Sequence, residues 1–216
     1  MRYKRLVALL ITIPLSLVIG VGIARATLPN SWVWLRTSLY IGVRAQLAIG
    51  DSSTNNGGTQ NIYVSVGGSA SLDIVQLGVR TLSNGSRVLF AGWGKGEPNA
   101  IGSLYEERYF GSVNRSWHTY ELVLINGSWR MTIDGVIVLR VPDTFRNWTI
   151  QSTKIAVEAE YPNTLLGGTI TLPQRAQLSR VWSGNSWILP TWYMGGYAIP
   201  PETQTDFGAD WFKVWR

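Results

Sequence analysis

The sequence predicts an all-β fold in which two antiparallel sheets pack face to face. Three observations support this prediction: no stretch after residue 26 keeps a helical period, apolar and polar residues alternate in short runs, and clusters of Gly, Asn, Pro and Ser separate the runs. About ten strands in one domain form two packed layers that share a core. The predicted strands lie at 39–49, 61–67, 72–80, 87–93, 117–125, 128–133, 136–141, 149–161, 168–172, 176–182 and 210–215.

The clearest local signal is a pair of tight turns in the stretch YELVLINGSWRMTIDGVIVLRV. Asn126-Gly127 and Asp134-Gly135 supply residues that tolerate the left-handed backbone of two-residue hairpin loops. We therefore expect three strands between residues 117 and 141 to run as an antiparallel meander in one sheet. Asn-x-Ser/Thr triplets mark further turns that we expect to be exposed, at Asn84, Asn114, Asn126 and Asn147.

Residues 1–26 predict a secretory signal peptide. A basic start precedes an apolar run from Leu6 to Ile23, and Ala24-Arg25-Ala26 provides a small-residue cleavage site. An uncleaved membrane anchor is the alternative, because the run is at the lower limit of spanning length, although Pro14 favours cleavage. We expect a mature chain, 27–216, that is a single β-sandwich domain, secreted or attached to the cell surface. It would contact a membrane only if residues 6–23 were retained.

Composition excludes several classes of function. Residues 1–26 hold four of the 19 basic residues and none of the 13 acidic ones, so the mature chain has 15 basic and 13 acidic residues, a net charge of +2. This balance does not predict a nucleic-acid partner. The absence of cysteine and the single histidine, His118, argue against thiol nucleophiles, Ser-His-Asp triads and multi-histidine zinc sites. We expect no metal and no cofactor, and we interpret His118 as a polar residue of its strand.

The predicted strand KIAVEAEYP carries two glutamates on one face. Successive side chains point to opposite faces, so Ile155 and Val157 face the core, whereas Glu158 and Glu160 point away from it. Two carboxylates about 7 Å apart in a partly dry cleft raise one another's pKa, which makes one of them a candidate acid or base. In solvent the same pair is ordinary, and the strand pattern leaves both interpretations open.

A glutamine, Gln76, stands inside another apolar strand, in the stretch YVSVGGSASLDIVQLGV. From here the chain resembles the eqolisin-type, or scytalidoglutamic, peptidases in a series of short blocks. Their segments Trp-Val-Gly-Ile-Asp-Gly, Leu-Gln-x-Gly and Trp-Tyr-Glu-x-x-Pro are similar to residues 63–68, 75–78 and 93–98. Their catalytic glutamate, in Ala-Glu-x-Ile-x-Glu, corresponds to Glu160, which lies 84 residues after Gln76. The blocks occur in the family's order and span roughly residues 38–182.

The resemblance implies a concanavalin-like jelly roll and a secreted, acid-active endopeptidase whose substrates are polypeptides. Gln76 and Glu160 would be its catalytic pair: Glu160 would take a proton from a bound water, and Gln76 would donate to the oxyanion of the tetrahedral intermediate. The family's pattern is incomplete, because one tryptophan, one aspartate and two glutamates are replaced by Tyr63, Gly67, Lys95 and Ala156. The chain therefore resembles a divergent member of the family, and the candidate modulators of the pair are Glu158, Tyr63, Trp93 and Lys95.

Two interpretations without catalysis stay open beside this one. The chain could be a cell-surface sandwich that binds carbohydrate or protein, or an extracellular structural or filament subunit that assembles by strand addition. Eleven tryptophans suit a binding surface, because indole rings stack on sugars and peptides, but they also suit a core. Gly and Pro interrupt the strands around Trp182, Trp187 and Trp192, which makes these three the candidates to line a substrate groove. We expect a monomer.

Overall fold

The computed structural model describes residues 31–38, 40–51, 58–67, 74–94, 104–143, 152–160, 167–197, 199 and 201–216. This part of the chain is all-β, as predicted, and none of it forms a membrane-spanning helix. The expected signal peptide, residues 1–26, lies outside it. The strands are β1 (Ser31–Thr37), β2 (Gly42–Ala48), β3 (Thr59–Gly67), β4 (Ile74–Thr81), β5 (Arg87–Gly94), β6 (Glu106–Ser112), β7 (His118–Ile125), β8 (Ser128–Ile133), β9 (Val136–Pro142), β10 (Ser152–Glu160), β11 (Gln174–Trp182), β12 (Trp187–Ile188), β13 (Tyr193–Tyr197), β14 (Gln204–Phe207) and β15 (Phe212–Trp215).

The strands form two antiparallel sheets. The seven-stranded sheet has the order β13-β1-β10-β3-β4-β5-β6. The eight-stranded sheet has the order β14-β15-β11-β2-β7-β8-β9, with the short β12 paired to β11. Many neighbours in space are distant in sequence; β1 pairs with β10, for example, so that Ser31 lies opposite Ala159. This arrangement confirms the predicted two-sheet sandwich with jelly-roll connections.

One hydrophobic core lies between the two sheets. Alternate residues of most strands enter it, such as Ile62 and Val64 of β3 and Tyr120 and Leu122 of β7, all 1% exposed or less. Burial of each side chain of this size contributes about 1.5–3 kcal/mol, which fixes the face that these strands turn inward. Because side chains alternate, the intervening residues of the seven-stranded sheet point away from the core. We call the surface that they form the outer face.

The predicted meander is confirmed. β7, β8 and β9 are consecutive in the eight-stranded sheet, and two-residue loops join them at the predicted positions. Asn126 and Gly127 have φ values of 49° and 71°, and Asp134 and Gly135 have 50° and 78°, as hairpin turns of this kind require. Asn84 and Asn114 are also in exposed turns, whereas Asn147 lies outside the described residues.

The strand predicted at 168–172 is wrong. Thr169 and Leu172 instead exchange backbone hydrogen bonds of 3.2 and 3.1 Å, so the segment folds back on itself as a tight turn. Its one ladder contact is an isolated bridge between Gly168 and Trp215. The structure also contains five strands that the alternation of polar and apolar residues does not predict, namely β1, β6, β12, β13 and β14.

Candidate functional site

Aromatic side chains cover the centre of the outer face. Tyr63, Phe90 and Ala156 form a buried cluster there, and Trp34 packs against it. Tyr63 on β3 and Phe90 on β5 are both opposite Gly78 on β4, which has no side chain to separate them. Their rings therefore meet edge to face, with centroids 6.2 Å apart and planes at 76°. We call these four side chains, Trp34, Tyr63, Phe90 and Ala156, the aromatic floor.

Gln76 lies beside the aromatic floor, in the middle of the sheet and half-buried. Its Nε2 donates a hydrogen bond of 2.5 Å to the Tyr105 hydroxyl, which in turn lies 3.3 Å from Oε1 of Glu107 and can donate to it. Gly92 lies between Gln76 and Glu107 in the register. Its lack of a side chain leaves room for the Tyr105 hydroxyl, because a Cβ at Gly92 would lie 1.9 Å from that hydroxyl. No described residue donates to Oε1 of Gln76, so half of this amide is available to a ligand.

Arg80 holds the Glu107 carboxylate on the outer face. Its Nη1 and Nη2 donate to the two carboxylate oxygens at 2.9 and 3.1 Å, and its Nε donates to Oδ1 of Asn61 at 2.9 Å. The Tyr109 hydroxyl donates to Oε2 of Glu107 as well. The side chains of Arg80 and Glu107 are only 14% and 20% exposed. Both carboxylate oxygens therefore have partners, and a water could reach Glu107 only by displacing one of them.

The Tyr105 hydroxyl stays protonated in this cluster. Burial raises the pKa of Tyr105 above its ordinary value, and the negative charge of Glu107 raises it further. The hydroxyl is therefore a neutral donor at acidic and neutral pH, and it occupies the space between the Gln76 amide and the Glu107 carboxylate.

The structure does not bring Gln76 and Glu160 together. Gln76 pairs with Ser65 on β3, whereas the backbone of Glu160 pairs with Thr59, six residues away on the same strand. Six residues of a strand span about 20 Å, which exceeds the combined reach of a glutamine, a glutamate and one water. On β10 the residue in line with Gln76 is Lys154, a cation rather than a carboxylate. In this register the backbones of the two residues of the expected catalytic pair are therefore too far apart to share one water.

The candidate modulators are also dispersed. Tyr63 belongs to the aromatic floor next to Gln76, but Glu158 lies opposite Asn61, four residues along β10 from Lys154. Trp93 is 6% exposed and packs in the core between the sheets, on the opposite side of the seven-stranded sheet from Gln76. Lys95 lies outside the described residues.

The three tryptophans expected to line a groove lie in two separate places. Trp182 and Trp187 form a tilted pair with ring centroids 5.3 Å apart on the eight-stranded sheet, where Arg44 stacks 4.7 Å from the Trp187 ring. Trp192 is buried in the core at 7% exposure. A shared groove with Gln76 is therefore excluded, because these side chains are in the core or on the far side of the sandwich.

His118 has partners on both ring nitrogens. Nδ1 lies 2.7 Å from Oδ2 of Asp134, and Nε2 lies 2.9 Å from Oδ1 of Asn114. These contacts join the start of β7 to two neighbouring turns and support the interpretation of His118 as a polar strand residue. Within the described ranges, no group of three or more His, Cys, Asp or Glu residues could hold a metal ion.

Sequence reasoning missed most of the polar residues of the outer face. Tyr105, Glu107 and Tyr109 alternate in the stretch LYEERYF, and this period of two is a signal for one face of a strand. The sequence does not predict a strand here, because the polar residues occupy both faces, as suits the edge strand β6. Arg80 lies four residues after Gln76 on β4 and so faces the same way.

Solved structures of glutamic peptidases share this fold. Scytalido-glutamic peptidase with a peptide-based transition state analogue matches with a TM-score of 0.62 and 11% identity, over 88% of this chain and 99% of that chain. SCP-B, a member of the eqolisin family in complex with the tripeptide Ala-Ile-His, matches with a TM-score of 0.61 and 11% identity over the same shares. No protein-family model and no curated protein sequence matches. What this chain shares with the eqolisins is therefore their fold, a two-sheet antiparallel β-sandwich.

Proposed function

We propose that this protein binds an extended polypeptide on the outer face of the seven-stranded sheet, with Gln76 at the centre of the site. The observation that carries the proposal is the Gln76 amide, whose Oε1 accepts no hydrogen bond from a described residue. An amide can accept from a peptide N–H and donate to a peptide carbonyl, so it suits an extended backbone. Trp34 and Tyr109, on either side of the buried rings, keep part of their surface accessible to ligand side chains.

The two eqolisin structures support a polypeptide as the ligand. One of them contains a peptide-based analogue and the other a tripeptide, and each is covered over 99% of its length by this fold. Carbohydrate is the weaker alternative, because the tryptophans that were expected to stack on a ligand are not on the outer face. A secreted or cell-surface location, predicted by residues 1–26, is part of the same proposal.

The positions and partners of the carboxylates support binding of a polypeptide without its hydrolysis. Water activation needs a carboxylate that can take a proton within one water of the Gln76 amide. Glu160 is about 20 Å away along the strands, and Glu107 has Arg80 and Tyr109 on its oxygens while the Tyr105 hydroxyl lies between it and Gln76. We infer that the outer face retains the amide of a peptidase-like site, and that none of the carboxylates described there is available to it as a base.

Replacing Gln76 with alanine is expected to weaken polypeptide binding about five- to tenfold, because one or two hydrogen bonds to the ligand backbone are lost. Fluorescence anisotropy with labelled, unfolded casein measures the affinity. Gln46→Ala is the matched control, since Gln46 is also a strand glutamine but bonds Gln177 on the eight-stranded sheet at 2.9 Å. Equal losses in the two variants, or no binding by the unmutated protein, would overturn the proposal.

Acid-active hydrolysis is the second candidate function, and the retained glutamine is the observation that favours it. Under the main proposal, the protein cleaves casein between pH 2 and 6 no faster than its Gln76→Ala variant does, as gel electrophoresis against a pepsin control would measure. Cleavage that depends on Gln76 would establish the second candidate instead. Glu160→Gln and Glu107→Gln would then identify the carboxylate, since only the variant that lacks the base would lose activity.

A further inference from the structure

A continuous row of hydrogen-bond donors crosses five strands of the outer face and ends at Gln76. In the register, each member lies directly opposite the next on the neighbouring strand, and the residues before and after it face the core. Strands are about 4.8 Å apart, so the row is about 19 Å long. We call it the donor row, and its members are Tyr193 on β13, Arg36 on β1, Lys154 on β10, Ser65 on β3 and Gln76 on β4.

The two cations of the donor row are adjacent, and neither forms a salt bridge with a carboxylate of the described residues. Arg36 lies opposite Lys154, and none of the ion pairs among the described residues includes either of them. Glu158, the acidic residue on the same face of β10, is four residues and about 13 Å along the strand from Lys154. Arg36 is exposed, but Lys154 is half-buried, with its Nζ 6.0 Å from the centre of the Trp34 ring.

This arrangement is unfavourable without an anion. Burial lowers the pKa of Lys154 below its ordinary value, and the charge of Arg36 lowers it further, while Glu158 opposes the shift. Both effects penalise the charged form of the lysine, and an anion bound between the two side chains would relieve both. A guanidinium fits a carboxylate with two parallel hydrogen bonds, and the ammonium adds a third.

We propose that the donor row recognises carboxylate groups of the bound polypeptide, so that the outer face takes acidic segments. This inference rests on the proposed function and adds the chemical class of the ligand to it. The carboxylates have two sources, the side chains of Asp and Glu and the C-terminus of a chain. Both are acceptors for Arg36 and Lys154, and the exposed Tyr193 hydroxyl beside Arg36 can donate to the same ligand, whereas Ser65 is only 1% exposed and completes the row without reaching the surface.

Three peptides of equal length test the inference and separate the two sources. The first contains several internal Glu residues and an amidated C-terminus, the second replaces every Glu with Gln, and the third is the second with a free C-terminal carboxylate. We expect the first peptide to bind at least about tenfold more tightly than the second, with a preference that falls as salt is raised. Tighter binding than the second peptide that is seen for the third peptide alone supports recognition of a C-terminal carboxylate. Equal affinities for all three overturn the inference and leave the proposed function standing, whereas no binding of any peptide overturns both.

Substitutions in the donor row test whether its two cations cause the preference for the Glu-containing peptide. Lys154→Gln and Arg36→Gln are each expected to reduce the ratio of affinities for the first and second peptides to about threefold or less, and Lys154→Arg is expected to retain the preference. Arg44→Gln is the matched control, since Arg44 also lies over a tryptophan ring, at 4.7 Å, but on the other sheet. The ratio compares two peptides on the same variant, so a general loss of stability does not change it. Circular dichroism verifies that each variant is folded. An unchanged ratio in both charge-neutral variants would contradict the assignment.

Discussion

Alanine at position 78 is expected to lower the free energy of unfolding by more than about 3 kcal/mol, which is a large effect for the addition of one methyl group. The added Cβ would lie 2.1 Å from the carbonyl oxygen of Ile62 and 2.6 Å from Cα and Cβ of Tyr63. These are mainly backbone contacts, so no rotamer change can relieve them. Strands β3 and β4 would have to separate in the middle of the sheet, where the rings of Tyr63 and Phe90 meet over Gly78. Urea unfolding followed by tryptophan fluorescence measures the change.

Gly85→Ala is the control for this prediction. Gly85 lies in the exposed turn between β4 and β5, has a φ of 80°, and has no atom within 4 Å of the position a Cβ would take. The same substitution there should cost only about 1–2 kcal/mol, because the left-handed backbone is strained but nothing is displaced. If Gly78→Ala is no more destabilising than Gly85→Ala, the close approach of β3 and β4 is wrong, and so is the account of the aromatic floor that depends on it.

Local chemistry explains which parts of the fold the sequence could predict. The turns at Asn126-Gly127 and Asp134-Gly135 need particular residues at two consecutive positions, and the flanking runs alternate cleanly, so three strands and their order follow. Alternation fails at β6 and β14, which are edge strands with largely exposed side chains. It misleads at 168–172, where an alternating stretch is closed by hydrogen bonds between Thr169 and Leu172.

The candidate site was harder to predict because it depends on register between distant strands. The alternation of side chains along β10 correctly turns Glu158 away from the core, but in the apolar strand β4 the sequence alone does not assign Gln76 to a face. The alternation of side chains does not determine the register of β10 against β3. A register shift of six residues moves a side chain by about 20 Å without changing the face of the sheet on which it lies. Lys154 rather than Glu160 is therefore in line with Gln76.

Arg80 is the residue on which the polar side of the outer face depends most. It bonds both oxygens of Glu107 and Oδ1 of Asn61, and its guanidinium lies 5.2 Å from the Phe90 ring and 5.6 Å from the Tyr109 ring. Its removal would leave a mostly buried carboxylate without a cation. The penalty for such an uncompensated charge exceeds the net contribution of the intact pair, because burial of the two charges has already cost free energy that their attraction only offsets.

Arg80→Met is therefore expected to lower the free energy of unfolding by about 2–4 kcal/mol, and Arg80→Met combined with Glu107→Gln is expected to recover at least about half of that loss. Arg115→Met is the control, since Arg115 bonds Asp51 at 2.7 Å but the two side chains are 41% and 49% exposed. Exposed pairs contribute about 0–1 kcal/mol, so this variant should unfold almost as the unmutated protein does. Urea unfolding of the unmutated protein, the single variants Arg80→Met and Glu107→Gln, and the double variant completes the cycle. It gives the coupling free energy between Arg80 and Glu107. If the double variant is as unstable as the sum of its single variants, the lost stability comes from the aromatic and Asn61 contacts of Arg80 rather than from the stranded carboxylate.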